Sequence, residues 1–362
     1  MSSFHPDQSL PITEVQLPLS FNALAIPQEG EPVTLLRRTI STLAPDEVLV
    51  RVQYALINNM DPLIAKRNIF QLPAPYVLGF DYSGVIVKRG SEGPRGLQVG
   101  DPVLGSIGKG GCYAEYVVVK GHPDKIVPRG RVLAAEASTF GIAFLTAYEN
   151  VILSGDITRH YGKWIYIAGA GGGLGHFAVQ MARIHGLKVI GSAGKSTTID
   201  LLGRLGVDHI IDYSQQDVAQ EILKLTNGRG VDVVYESTGS PSSFQQSSAV
   251  IAPGGEYIRL GTPMQLKQFG KPDLSSVVEA RGGKMVIADL GRYAADPEFQ
   301  TPQARASVLH GLEQAVKWTE EGKLKAEITG IVSFDPASLQ QAFDAFSRGE
   351  INVGKVVVRC SE

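Results

Sequence analysis

Two cysteines in 362 residues, Cys112 and Cys360, are too few for a disulfide framework or for a four-thiolate zinc lobe. Charge of one sign is also missing: 34 basic residues nearly cancel 36 acidic ones, and no run of like charge occurs. Nucleic acid and membrane surfaces are therefore excluded as expected partners, since both are met by basic stripes or basic amphipathic helices. No apolar stretch of spanning length is present. The first residues, MSSFHPDQSLPITEVQ, lack both a hydrophobic signal core and arginine-rich transit character, so a soluble cytoplasmic protein is expected. Neither an internal repeat nor a low-complexity tract interrupts the chain.

Glycine, by contrast, is abundant, with 41 residues. Five of them fall in Trp164 to Gly175, WIYIAGAGGGLG, where an apolar run ends as a helical pattern begins. Trp164 to Ile167 suit a buried strand, and Phe177, Ala178, Met181, Ala182 and Ile184 then recur at helical spacing. Such a strand-to-helix turn suits a dinucleotide pyrophosphate, because glycine lets the backbone come close and the helix start offers free N–H groups and a positive dipole end. The strict GxGxxG spacing fails at Leu174, and the register AxGxxG over Ala170, Gly172 and Gly175 fits instead. A bare loop of this kind reads equally as a turn that lets a helix pack on a strand.

The segments beyond the loop decide between the two. Strand patterns at Lys188 to Gly191, Val207 to Tyr213, Val231 to Glu236, Glu256 to Leu260 and Lys284 to Leu290 alternate with helical ones at Ser196 to Leu205 and Asp217 to Thr226. This spacing predicts a parallel sheet covered on both faces, a doubly wound α/β nucleotide-binding domain over 141–300. The first 140 residues have short strands such as Glu47 to Tyr54 and Val85 to Lys88, Gly/Pro turns, and a strand rising over Gly111 to Val119. They read as a mostly β domain. The tail, helical over Gln303 to Glu321 with strands at Glu327 to Phe334 and Gly354 to Arg359 around a helix near Ala337 to Ser347, is expected to return to it. Residues 1–140 with 301–362 would form one domain, leaving a ligand cleft against the other.

The order of a β-rich start, GAGGGLGHFAVQMARIHGLKVIG, GVDVVYESTG and a closing NVGKVVV resembles the medium-chain dehydrogenase/reductase superfamily over nearly the whole chain. The resemblance implies a GroES-like catalytic domain plus a Rossmann domain. Where zinc members carry a ligand Cys before their Asp, this chain has Asn58-Asn59-Met60-Asp61, and Gly79-Phe80-Asp81 replaces their GHE motif. Zinc requires about three Cys, His or carboxylate ligands, so no metal is expected. The pattern is similar to the quinone oxidoreductase subfamily and its enoyl and alkenal reductase relatives. Leu63 and Phe144 depart from it: Leu63 stands where relatives often place a tyrosine, and Phe144 is expected to reshape the substrate pocket.

NAD-binding units place an acid about 20 residues beyond the loop, for the ribose hydroxyls. Here Gly191-Ser192-Ala193-Gly194-Lys195-Ser196 stands there, with no acid before Asp200. Ser192 and Lys195 can donate to a 2′-phosphate that a carboxylate would repel, so NADPH is the expected cofactor. Lys195 alone would read as an ordinary solvated lysine. Gly172, Gly173, Leu174 and Gly175 are expected at the pyrophosphate. The doubly wound rule adds Ser237, Thr238, Gly239, Gly261, Thr262 and Ala288 to Leu290 beyond the strand ends. The resemblance implies Tyr213 at the 2′-phosphate, Thr146 near the nicotinamide, and Asn352 with Lys355 near the cofactor; a capping Thr and a turn Asn are the alternatives.

Asn58 is the leading catalytic candidate, its amide offered to a carbonyl oxygen; an Asn bridging loop backbone groups is the equal alternative. Asp61 is expected to support the site or to cap a helix starting at Pro62. Tyr54, Tyr76 and Tyr82 read as cleft or strand tyrosines. His160, His176 and His185 do not form a metal spacing, and Cys112 reads as packed. The expected activity is hydride transfer from NADPH to a quinone or an α,β-unsaturated carbonyl. A zinc-less alcohol/ketone oxidoreductase and a non-enzymatic NADPH-sensing or RNA-binding relative are the alternatives. The apolar strand near Lys284 to Leu290 would leave an open sheet edge, and a homodimer is expected from it.

Overall fold

A computed structural model describes residues 17–121, 125–261, 274–289 and 302–361. Six parallel strands form one sheet in the order His209–Asp212, Lys188–Ala193, Trp164–Ala168, Val231–Glu236, Ile251–Gly261, Lys284–Asp289. This is the Rossmann order: the chain starts in the middle, winds outward, then returns past its first strand to wind the other way. All six residues of Val231–Glu236 are buried, as a strand with helices on both faces requires. Phe177, Ala178, Met181 and Ala182 of the helix Gly175–Ile184 are buried at the expected helical spacing, over the strands Trp164–Ala168 and Lys188–Ala193.

A second sheet carries the GroES-like part. Its seven strands are mostly antiparallel, and Glu47–Ile57 lies near its centre, paired with Asp81–Arg89, Tyr116–Lys120 and Lys355–Arg359. The tail does return: Lys355–Arg359 pairs with both Glu47–Ile57 and, in parallel, Ile328–Ser333, with the helix Pro336–Ser347 between the last two strands. A third, three-stranded sheet sits beside them.

Two boundaries differ from the sequence pattern for identifiable reasons. The strand expected from Gly111 begins at Tyr116, because Gly110 and Gly111 hold φ of 75° and 114° in a turn. The strand expected at Val85 to Lys88 runs over Asp81–Arg89, since both its edges are paired.

Polar contacts join the two large sheets, among them Arg204 donating to Glu327 at 2.7 Å. Gly354 N–H donates to Gly171 O at 2.9 Å. Gln180 clamps the segment before the last two strands, its Nε2 donating to Lys325 O and its Oε1 accepting from Lys325 N. Among the described residues no helix is long and apolar enough to cross a membrane.

Candidate functional site

At the glycine-rich loop, Gly169 takes a φ of 73° and its carbonyl accepts from Gly172 N–H. A methyl group at Gly175 would overlap Gly169 O, so the helix can approach the strand only because that residue is glycine. His176, fully buried, donates from Nδ1 to Gly172 O at 2.9 Å, and burial pushes its imidazole down to about 3, so it stays neutral. Among the described residues no backbone acceptor meets the amides of Gly173 and Leu174. The loop therefore offers free donors at the start of a ten-residue helix. It fits a pyrophosphate.

Toward the adenosine end the expected residues gather at neighbouring strand ends. Lys195 is exposed at the start of the helix Ser196–Arg204, and the exposed Tyr213 ring lies directly over Gly194. Ser192 is buried, and its hydroxyl is shared with Tyr166 at 2.8 Å. Ser237 gives its hydroxyl to Ala168 O, and Gly239 N–H donates to Glu236. Glu236, absent from the sequence expectations, ties the turn after its strand together through Thr238, Gly239 and Ser243. Gly261 ends its strand, whereas Thr262 and Leu290 lie outside the described residues.

Beneath the loop lies a buried cluster of charge. Asn58 follows the strand Glu47–Ile57, and its backbone N–H donates to Asp61 Oδ2 at 2.8 Å while its side-chain Nδ2 donates to Asp81 Oδ2 at 3.0 Å. Tyr113 completes the hold on Asp61, its phenol donating to the same Oδ2 at 2.5 Å. Burial pushes both carboxyls up to about 7, against the pull of these donors and of Lys355. Lys355 is itself buried, which lowers its ammonium to about 8 although Asp81 and Asp61 favour its charge. A Cβ on Gly173 would stand 2.6 Å from Lys355 Nζ. The lysine tip thus touches the underside of the phosphate loop.

Two expectations are corrected here, the Asp61 cap and the place of Phe144 in the pocket, and the other expected residues are located. Asp61 caps nothing: the helix Asp61–Arg67 includes it, Met60 holds the cap position, and the carboxylate turns inward to Tyr113. Phe144 shapes the core, packed against Phe140, Tyr148, Phe177 and Trp318. Thr146 is buried with its hydroxyl given to Ile142 O at 2.6 Å, a helical back-bond. Tyr76 and Tyr82 are buried with their hydroxyls facing backbone carbonyls, and Tyr54 packs under Arg359. Asn352 is exposed, its backbone beside Gly172. Tyr113 joins the site without having been named in the sequence, while Asp81 and His176 were named only for the ligands they do not provide. A lone Asp inside GFDYSGVIV, an otherwise apolar strand, is the readable signal for Asp81.

Residues 44–129 match the alcohol dehydrogenase GroES-like domain family, and residues 173–287 match the zinc-binding dehydrogenase family. Together with the sheet order and the glycine loop these decide the family. The chain belongs to the medium-chain dehydrogenase/reductase superfamily. Among its superfamily relatives, a phenolphthiocerol/phthiocerol polyketide synthase of Mycobacterium tuberculosis is 31% identical over 315 residues, 86% of this chain. The chain spans only 13% of that much longer protein. The trans-enoyl reductase pgmF of Aspergillus terreus is 27% identical over 331 residues, 88% of each chain. Among solved superfamily structures, the CurK enoyl reductase superposes with a TM-score of 0.76 at 26% identity, covering 94% of this chain and 99% of that one.

Proposed function

We propose that this chain is an NADPH-dependent, zinc-independent reductase acting on a conjugated acceptor, an α,β-unsaturated carbonyl or a quinone. The observation that carries the reading is the state of Asn58 and Asp81 under the phosphate loop. Phe80 offers no ligand atom, the Asn58 amide is already given to Asp81, and among the described residues no group of three His, Cys, Asp or Glu could hold a metal. That donor set does not fit zinc, so no step is routed through one. An acceptor reduced here must delocalise the arriving charge itself, as enones, enals and quinones do.

The residues present do fit a dinucleotide. Gly173 and Leu174 amides with Lys355 would hold the pyrophosphate, and Lys195 with Tyr213 would flank the 2′-phosphate. When bound, NADPH supplies the hydride; the chain supplies position, exclusion of water and hydrogen-bond donors. Asn58 retains one amide proton beyond the one given to Asp81, and that proton is the donor we assign to the acceptor oxygen. Enoyl reductases among the relatives favour the enone arm. We assign the domains to 1–140 with 301–362 and to 141–300, and a homodimer to the edge at Lys284–Asp289, unpaired among the described residues, where Ile287 is 55% exposed.

The test is an acceptor panel followed by NADPH absorbance, with enals, enones, quinones, simple ketones and aldehydes side by side. Turnover of conjugated acceptors and none of simple ketones is expected. Turnover confined to ketones, equal or better use of NADH, or stoichiometric zinc in protein purified without added metal would each overturn the corresponding part.

A further inference from the structure

We propose that dinucleotide binding draws a proton into the buried Asp61–Asp81 cluster, with Lys355 as the coupling group. The inference rests on the reading of the glycine loop as a dinucleotide site.

Three observations carry it. First, Lys355 Nζ lies at the underside of Gly173, where a bound pyrophosphate would bring its charge. Secondly, Asp61 and Asp81 are fully buried neighbours; Asp61 Oδ1 has no hydrogen-bond partner among the described residues, and Asp81 Oδ1 lies against Gly141, with the Ile142 backbone N–H pulling on that carboxylate. Thirdly, no ion pair among the described residues joins Lys355 to either carboxylate, so their attraction acts across a gap in a low-dielectric interior. Without a ligand the ammonium offsets carboxylate charge. A pyrophosphate at the loop competes for that ammonium and adds negative charge of its own.

Both consequences have the same sign. The carboxylates, already poised at about 7, bind protons more tightly when their compensating charge is shared. Lys355, held at about 8, becomes more firmly protonated beside an anion. Net proton uptake follows from each.

The other groups facing the cluster do not reverse it. Tyr113, hydrogen-bonded to Asp61 and next to Cys112, is pushed well above its usual range and keeps its proton. Lys125 acts on Asp81 from two strands away, and His176 faces Lys355 from the loop helix as a neutral ring. The stored proton matches the one that saturation of a conjugated double bond consumes beside the hydride.

Calorimetric titration of NADP⁺ and NADPH into the whole protein at pH 7.5, in PIPES, HEPES and Tris, reads the linkage directly, because the observed heat varies with buffer ionisation enthalpy in proportion to protons exchanged. We expect uptake of about 0.3 to 1 proton per site, the range open to groups titrating near the working pH. Ionisation of the ligand's own 2′-phosphate on binding would release protons, the opposite sign. Asp81→Asn and Asp61→Asn, checked for folding by circular dichroism, should each lower the uptake. Lys355→Met should remove most of it while binding persists through the loop amides, and Lys355→Arg should keep part of it. Heats independent of buffer, or uptake undiminished in both carboxylate variants, overturn the proposal. Absence of any dinucleotide binding overturns the loop reading, and the proposal with it.

Discussion

Asn58 donates its side-chain amide to Asp81 across 3.0 Å, and this bond fixes the residue that stands where zinc relatives keep a thiolate. With the side chain oriented from behind, its remaining polar atoms have a defined direction. Asp81 in turn has one oxygen fixed in the interior and a proton affinity raised by burial. The pair therefore acts as one unit: removing either member leaves the other buried and short of a partner.

Stability should report that burden. Asp81 rises from 3.8 to about 7 on folding, so its contribution is fully present below the unfolded value and is lost as pH rises toward the folded one. Asparagine at this site does not titrate. Urea unfolding of Asp81→Asn and wild type across this range should show their stability difference moving steadily in the variant's favour from about pH 4 to about pH 7. A difference that stays constant with pH would show that the carboxyl titrates normally.

Lys195 tests the cofactor assignment separately. Lys195 is exposed next to Gly194, over which the Tyr213 ring lies, at the place proposed for a 2′-phosphate. Lys195→Ala should raise the KM for NADPH by about fivefold, the size of an exposed charge pair, and leave that for NADH unchanged. Equal effects on both cofactors would remove Lys195 from the phosphate site.

Assembly has its own readout. Ile287 projects from the last strand of the parallel sheet at 55% exposure, on an edge that pairs with no further strand among the described residues. Ile287→Lys should convert the dimer to monomer in light scattering. A mass at the dimer value for the variant would move the interface elsewhere.

The features legible in the sequence are local ones. The glycine loop, the strands flanking it and the helix that packs on them are specified within a few residues of one another, so spacing alone reveals them. Tyr113 meets Asp61 across 52 positions, and Lys355 reaches Gly173 from the far end of the chain. Neither meeting leaves a periodic trace. Phe144 departs from its expected place in the pocket for a related reason: its aromatic neighbours Phe177 and Trp318 arrive from distant helices and close it into the core. Backbone pairing likewise moves strand ends that side-chain pattern cannot fix.

The polar joints between the sheets, Gly354 to Gly171, Lys325 to Gln180 and Arg204 to Glu327, all fall on the first strand–helix–strand–helix run of the parallel sheet. The apolar core is continuous there as well, with Val357 of one sheet in the same cluster as Ile167, Phe177 and Val189 of the other. The glycine loop is therefore built into the weld between the halves. A dinucleotide seated on it would touch both halves at once, and its occupancy would be felt on either side of the seam.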